Sequence, residues 1–253
     1  MSFFHFFHQV YSWFTDGANW NGSDGVNIPV FFVHQVYISA VAIAVAVLLG
    51  GGFGLVLGHT GRGGLVAVNA ANAFRAVPTL ALLTLLAIWK VISTKSFGFP
   101  VGFPAAAIAL VVLGIPPILT NTYVGIREVD PDVREAARAM GLTGRQVLGR
   151  VELPLALPFI MAGIRTSAIE IVATATLAAE TGFSDLGTPV AAGLNTGDSV
   201  EAFCGAVLVV LTAALTAALF GFLLRLVRLP GAEGPRRGLG SLLPGAHRVA
   251  AAA

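Results

Sequence analysis

Between Gln35 and Gly58 the chain carries no charged residue, and further apolar stretches of comparable weight follow it. A hydrocarbon core of about 30 Å is crossed by a helix of about 20 apolar residues. Only 11% of the 253 residues are charged, and mean hydropathy is +0.82. Ordinary soluble domains carry about 25% charged residues, so this chain has too little polar surface to hide such runs in water. It reads as an all-α, polytopic integral membrane protein of about five transmembrane helices. The 30 glycines suit helices that approach closely in lipid. A net charge of +2 gives nucleic-acid binding no electrostatic footing. The single cysteine, Cys204, excludes an intramolecular disulfide.

The spans are expected at Gln35–Gly58, Leu65–Trp89, Phe97–Leu119, Leu155–Ala179 and Ala202–Leu224. In the first, Gly50, Gly54 and Gly58 form a small-residue stripe suited to helix packing, although Gly51 and Gly52 interrupt it. In the second, the uncharged run Ala76–Trp89 is too short to cross alone and must recruit Leu65–Arg75. That places Asn69, Asn72 and Arg75 on one helical face, with Pro78 as an expected kink and Thr79 beyond it. The third span is expected to end near Pro116 and Pro117.

Basic residues set the orientation. Arg127, Arg134, Arg138, Arg145 and Arg150 share one loop, and Arg225, Arg228, Arg236, Arg237 and Arg248 lie in the tail. No Lys or Arg occurs between Thr166 and Leu224. The loop and the tail are therefore expected in the cytoplasm, and Asp185 and Asp198 outside. Lys90 and Lys95 fall outside against the rule but are outnumbered. Residues 1–33, rich in Phe and Trp, lack the basic start of a signal peptide and read as an external interfacial segment. His5 and His8 have no acidic or Cys partner beside them, so they read as part of that segment rather than as metal ligands. Residues 34–229 read as the transmembrane domain, and 230–253 as a disordered cytoplasmic tail.

The cytoplasmic loop is a charged, glycine-punctuated island. Asp130 can cap a helix with Pro131 at its first position, and Asp132 and Glu135 complement its dipole. Gly141 can supply a left-handed stop. Thr143 and Gln146 have capping-box spacing for a second helix, with the next span beginning at Pro154 if the turn falls near Leu153. The segment reads Glu135-Ala136-Ala137, three residues, Gly141, nine residues, then Val151-Glu152-Leu153-Pro154. It resembles the EAA signature of permease subunits in ATP-binding-cassette importers, with Val151 where Ile is usual. The resemblance implies that residues 128–153 form a coupling-helix loop between spans three and four. Glu135, Ala136, Ala137, Met140, Gly141, Leu153 and Pro154 would then dock onto a separate ATPase subunit. The chain itself should bind no cofactor, because neither of its lysines, Lys90 and Lys95, follows a P-loop; ATP would be used by the partner ATPase.

Several flanking stretches are similar to permeases for glycine betaine, carnitine and choline. They are Arg75–Leu83, Asn121–Ile126, Glu152–Pro158, Met161–Thr166 and Ala173–Ala179; Gly182–Gly187 departs from the usual Gly-rich turn. The resemblance implies three protein partners besides the lipid bilayer: the ATPase, an extracytoplasmic substrate-binding protein, and a second permease copy or sibling permease. An importer permease for amino acids or another small solute is the alternative. A secondary transporter or channel shares the hydropathy but not the island, and typically shows repeats not seen here. An intramembrane enzyme lacks its histidines, since none after His34 falls within an expected span. Among intramembrane ionisable residues, Arg75, Arg165 and Glu170, the polar face makes Asn72, Arg75 and Thr79 the pathway or gate candidates. The spacing of Arg165 and Glu170 is poor for a same-face pair. Tyr123 and Trp89 suit interfacial anchoring better than cation contact. Asp185 and Asp198 are the candidate contacts for the external binding protein.

Overall fold

The computed structural model describes residues 3–23, 25–88 and 99–227, and every regular element among them is helical. Trp89, Lys90, Lys95 and the 230–253 tail lie outside the described residues. Two short helices, α1 (Phe3–Thr15) and α2 (Gly17–Asn21), precede the first long one, α3 (Ile28–Thr60). A broken pair follows: α4 (Gly64–Phe74) and α5 (Thr79–Ile88). Then come α6 (Phe103–Arg127), α7 (Pro131–Ala139), α8 (Gly144–Thr181), α9 (Thr188–Thr196) and α10 (Ser199–Val227).

Helices α3, α6, α8 and α10 are each long and apolar enough to cross a membrane. The α4–α5 pair makes a fifth crossing, but not by the simple kink expected at Pro78: its halves bend by 78°. Pro78 has no N–H to continue a helix, and residues 75–77 close the end of α4 with tighter bonds to Asn72, Ala73 and Phe74. The pair still passes from one side to the other. Gly64 sits against Tyr123 near the cytoplasmic end of α6, which places Tyr123 in a packing contact. At the other end Leu83 is buried with Phe103, Ala178 and Phe183.

The central helix is α6, with α3, α4, α5 and α8 around it. It runs on through Pro116 and Pro117 rather than ending there. Lipid forbids unsatisfied backbone groups, and neighbouring helices can repair a proline gap. The carbonyls that lose their helical donor are those of Val112 and Leu113. Close by, Ser167 Oγ of α8 donates to Gly114 O at 3.0 Å, and Asn121 Nδ2 donates to Pro117 O at 2.8 Å, so polar side chains cluster at the proline turn. The glycine stripe of α3 faces this helix. A Cβ on Gly50 would lie 2.9 Å from Ile115 O, one on Gly54 2.7 Å from Thr122 Cβ, and one on Gly58 2.7 Å from Ile126 Cβ. Gly52 would meet nothing within 4 Å. A π-turn at Val47–Gly51 rotates the stripe into register without breaking the helix.

The span after the island also begins earlier than expected. The turn falls between Ala139 and Gly144, not near Leu153, and α8 is continuous from Gly144. A second π-turn at Leu148–Glu152 offsets the hydrogen-bond ladder just ahead of Pro154, so the missing N–H disturbs little.

Candidate functional site

At the cytoplasmic end, α7 forms as its local signals require. Asp130 accepts from Asp132 N at 2.9 Å, Pro131 opens the helix, and Gly141 stops it with φ +87°. Leu142 N then returns to Ala137 O, which satisfies the end of the helix. Gln146 Oε1 accepts from Thr143 N at 2.8 Å as the capping box of α8.

The residues expected at the docking face separate into two groups. Glu135, Ala136, Met140, Gly141 and Pro154 are exposed, and Met140 is 74% exposed. Ala137 is buried, and Leu153 packs beside Ile126, Ala156 and Ile160. Ala137 therefore anchors the loop inward and offers no docking surface, while half-buried Leu153 packs its side chain toward the spans. A shallow cleft lined by Pro131, Arg134, Glu135, Arg138 and Ala139 runs along α7.

Beneath that face lies a cluster that sequence reasoning missed. Glu152, 1% exposed, accepts from His59 Nδ1 at 2.6 Å and lies 3.2 Å from Arg134 Nε. An ionised carboxylate only accepts, so His59 Nδ1 carries the proton in this bond. Arg134 Nε is close enough for an ion pair but is not aimed at the oxygen, and the guanidinium also donates through Nη2 to Ile126 O. The Glu152 carboxylate thus ties the start of α8 to α7 and to the end of α3, and Arg134 in turn ties α7 to the end of α6. The sequence signal that could have found it is an acid between apolar residues, Val151 and Leu153, at the end of the island's own motif.

At mid-depth the polar face of the broken pair is exposed in the protomer: Asn69, Asn72 and Arg75 are open, and Thr79 is half-buried. Arg75 Nη2 lies 3.2 Å from Glu170 Oε2 and 3.4 Å from Oε1. Glu170 therefore pairs across helices. Arg165 instead lies against Gly221 of α10, with its Nε buried and without a hydrogen-bond partner.

The external end corrects one expectation. Asp185 is fully buried and is not a rim charge. Its Oδ1 accepts from Gly187 N at 2.8 Å, while its backbone N–H donates to Thr188 Oγ1. Burial pushes its carboxyl up to about 8, the Gly187 bond opposing. Asp198 is exposed and caps α10, accepting from Val200 N and Glu201 N. Nearby, His34 Nδ1 bonds Ser184 O at 2.7 Å, which ties α3 to the same loop.

The family model described as binding-protein-dependent transport system inner membrane component matches residues 42–228. The chain belongs to this family. It is a multi-pass membrane protein of an ABC importer, the permease component. It is 35% identical over 164 residues to the glycine betaine/carnitine/choline transport system permease protein OpuCB of Bacillus subtilis, covering 64% of this chain and 70% of that one. It is 37% identical over the same length to the choline transport system permease protein OpuBB of Bacillus subtilis, with the same coverage. Its fold is similar to a solved chain of the inward-facing MetNI methionine ABC transporter, with TM-score 0.66, 24% identity, and coverage of 80% and 96%. In this permease the match begins within α3, so α1 and α2 precede the shared part. A binding-protein-dependent importer works with a binding protein and an ATPase.

Proposed function

We propose that this permease carries quaternary-ammonium osmoprotectants, namely glycine betaine, choline or carnitine, into the cell in an ATP-driven importer. The observation that carries the transport role is the island's placement. Its exposed face presents Glu135, Ala136 and Met140 to water, while Arg134 and Ala137 bind it inward to the spans. A separate ATPase docks on that face, and movement there is passed to α3, α6 and α8 through the Glu152 cluster. ATP binds to that partner, because this chain has no P-loop. A second copy or sibling permease completes the pathway against the face bearing Asn72, Arg75 and Thr79. The loaded binding protein delivers solute at the opposite end, where Asp198 is exposed.

The named substrates of the relatives support the solute class. The test is uptake of labelled betaine, choline and carnitine by the reconstituted transporter, with and without ATP. ATP-dependent uptake of any of the three supports the reading. ATP-dependent uptake of methionine in their place would overturn it.

A further inference from the structure

Arg75 and Glu170 meet where charge is hardest to keep. Gly114, midway along α6, touches Ser167 and Ile171 of α8 and Ala46 of α3, and Glu170 lies within one turn of that layer. Yet the Arg75 and Glu170 side chains are 39% and 38% exposed in the protomer. Asn69 and Asn72 are exposed on the preceding turns of the same face. Ionisable side chains at this depth are costly in lipid and face the protein interior or a water-filled cavity. A broken backbone at membrane depth is tolerated only in the same surroundings. The face therefore borders the aqueous route between this permease and its second half.

The pair is built loosely. Nη2 alone makes both contacts, at 3.2 and 3.4 Å, whereas a charge-assisted bond is usually about 2.7–2.9 Å. The remaining guanidinium N–H groups have no hydrogen-bond partner among the described residues. Arg75 closes the C-terminal end of α4, whose partial negative charge offsets the positive end of α5 beyond Pro78. It is therefore the under-bonded guanidinium itself that favours an anion here, and the Glu170 carboxylate a cation beside it.

We propose that the Arg75–Glu170 pair is a way-station for zwitterionic quaternary-ammonium solutes. The pair opens, the guanidinium takes the solute carboxylate, and the Glu170 carboxylate faces the trimethylammonium group. This rests on the solute class proposed above and adds where, and by which charges, the solute is met. A betaine supplies both charges and leaves neither side chain unpaired. Choline lacks the carboxylate and satisfies Glu170 alone.

The experiment uses the complete transporter in proteoliposomes, with saturating loaded binding protein, and compares labelled glycine betaine with labelled choline. Arg75→Gln should lower the betaine uptake rate at least about tenfold and the choline rate no more than about threefold, since only betaine loses its partner. Glu170→Gln should lower both. A merely structural pair behaves differently, because removing both charges together relieves the unpaired one. Arg75→Gln/Glu170→Gln should therefore remain defective for betaine. Co-purification of the ATPase with each variant checks assembly. Equal losses for the two solutes in Arg75→Gln, or betaine uptake recovered in the double variant, would overturn the way-station. Uptake of neither solute by the unmodified transporter would instead overturn the solute class, and this inference with it.

Discussion

Glu152→Gln isolates charge from shape in the buried cluster under the coupling face. Gln has nearly the same volume and can still accept from His59 Nδ1, so packing is retained and the ion pair with Arg134 is lost. Removing one partner of a buried pair costs about 3–5 kcal/mol at the upper end. Two features lower that figure here. Arg134 keeps its bond to Ile126 O, and its Nε contact with Glu152 at 3.2 Å lacks hydrogen-bond alignment. What is lost is the acceptor's charge opposite His59 and an unaligned ion pair, so a cost below that range, about 1.5–3 kcal/mol, is the better measure. For a chain of this size about 2 kcal/mol corresponds to an apparent Tm shift of roughly 4–8 °C. Glu152→Ala should exceed it, because it also opens a void and leaves His59 unpaired. The assay is thermal unfolding of the purified permease in nanodiscs, run as a cycle with Arg134→Gln and the double variant. Residues sharing one network are expected to couple by about 0.5–3 kcal/mol. ATP-driven uptake should fall in Glu152→Gln while the ATPase still co-purifies, since the docking face remains and its tie to the spans is weakened. Additive Tm shifts with undiminished uptake would refute the linkage.

Three further outcomes follow from the same structure. Gly54→Ala places a methyl 2.7 Å from Thr122 Cβ and 2.9 Å from Leu119 O, so overpacking should cost about 1–3 kcal/mol, read as a lower melting temperature, while Gly52→Ala should cost nothing. Gly141→Val forces a β-branched residue to φ +87°, a strain of about 1–2 kcal/mol with no neighbour within 4 Å to blame; ATPase association should weaken before the permease itself melts. For Asp185, the folded state holds a proton that the unfolded chain releases between 3.8 and about 8. Stability therefore falls as pH rises through that window, by at most about 1.4 kcal/mol per unit. Asp185→Asn keeps the Gly187 bond and loses this slope, so its melting advantage over the parent should widen from mildly acidic to mildly alkaline buffer.

Much of the island was legible because its signals are local. Asp130, Pro131, Gly141, Thr143 and Gln146 each act within a few positions, on backbone groups that any helix end leaves open. The outward face of α7 was legible only in part, since the same spacing that exposes Glu135 and Met140 turns Ala137 inward. The prolines misled. Pro116 and Pro117 read as an ending and Pro154 as a beginning, yet a span passes through each. Whether a helix passes through a proline depends on the helices packed around it and, at Pro154, on a π-turn, none of which the prolines announce.

Composition determined that this is a helical, multi-pass membrane protein, because solvation acts on each segment nearly independently of the others. The tertiary structure decided the pairings. Gly50, Gly54 and Gly58, rather than Gly52, meet α6 because a π-turn sets their azimuth. Glu152 joins His59 from 93 positions away, and Arg75 finds Glu170 from 95. Asp185, polar in sequence and external by topology, is buried because Phe183 and Leu186 draw its loop into the core. A contact between distant residues is fixed by how whole helices stack, and that stacking is a collective minimum that no single segment encodes.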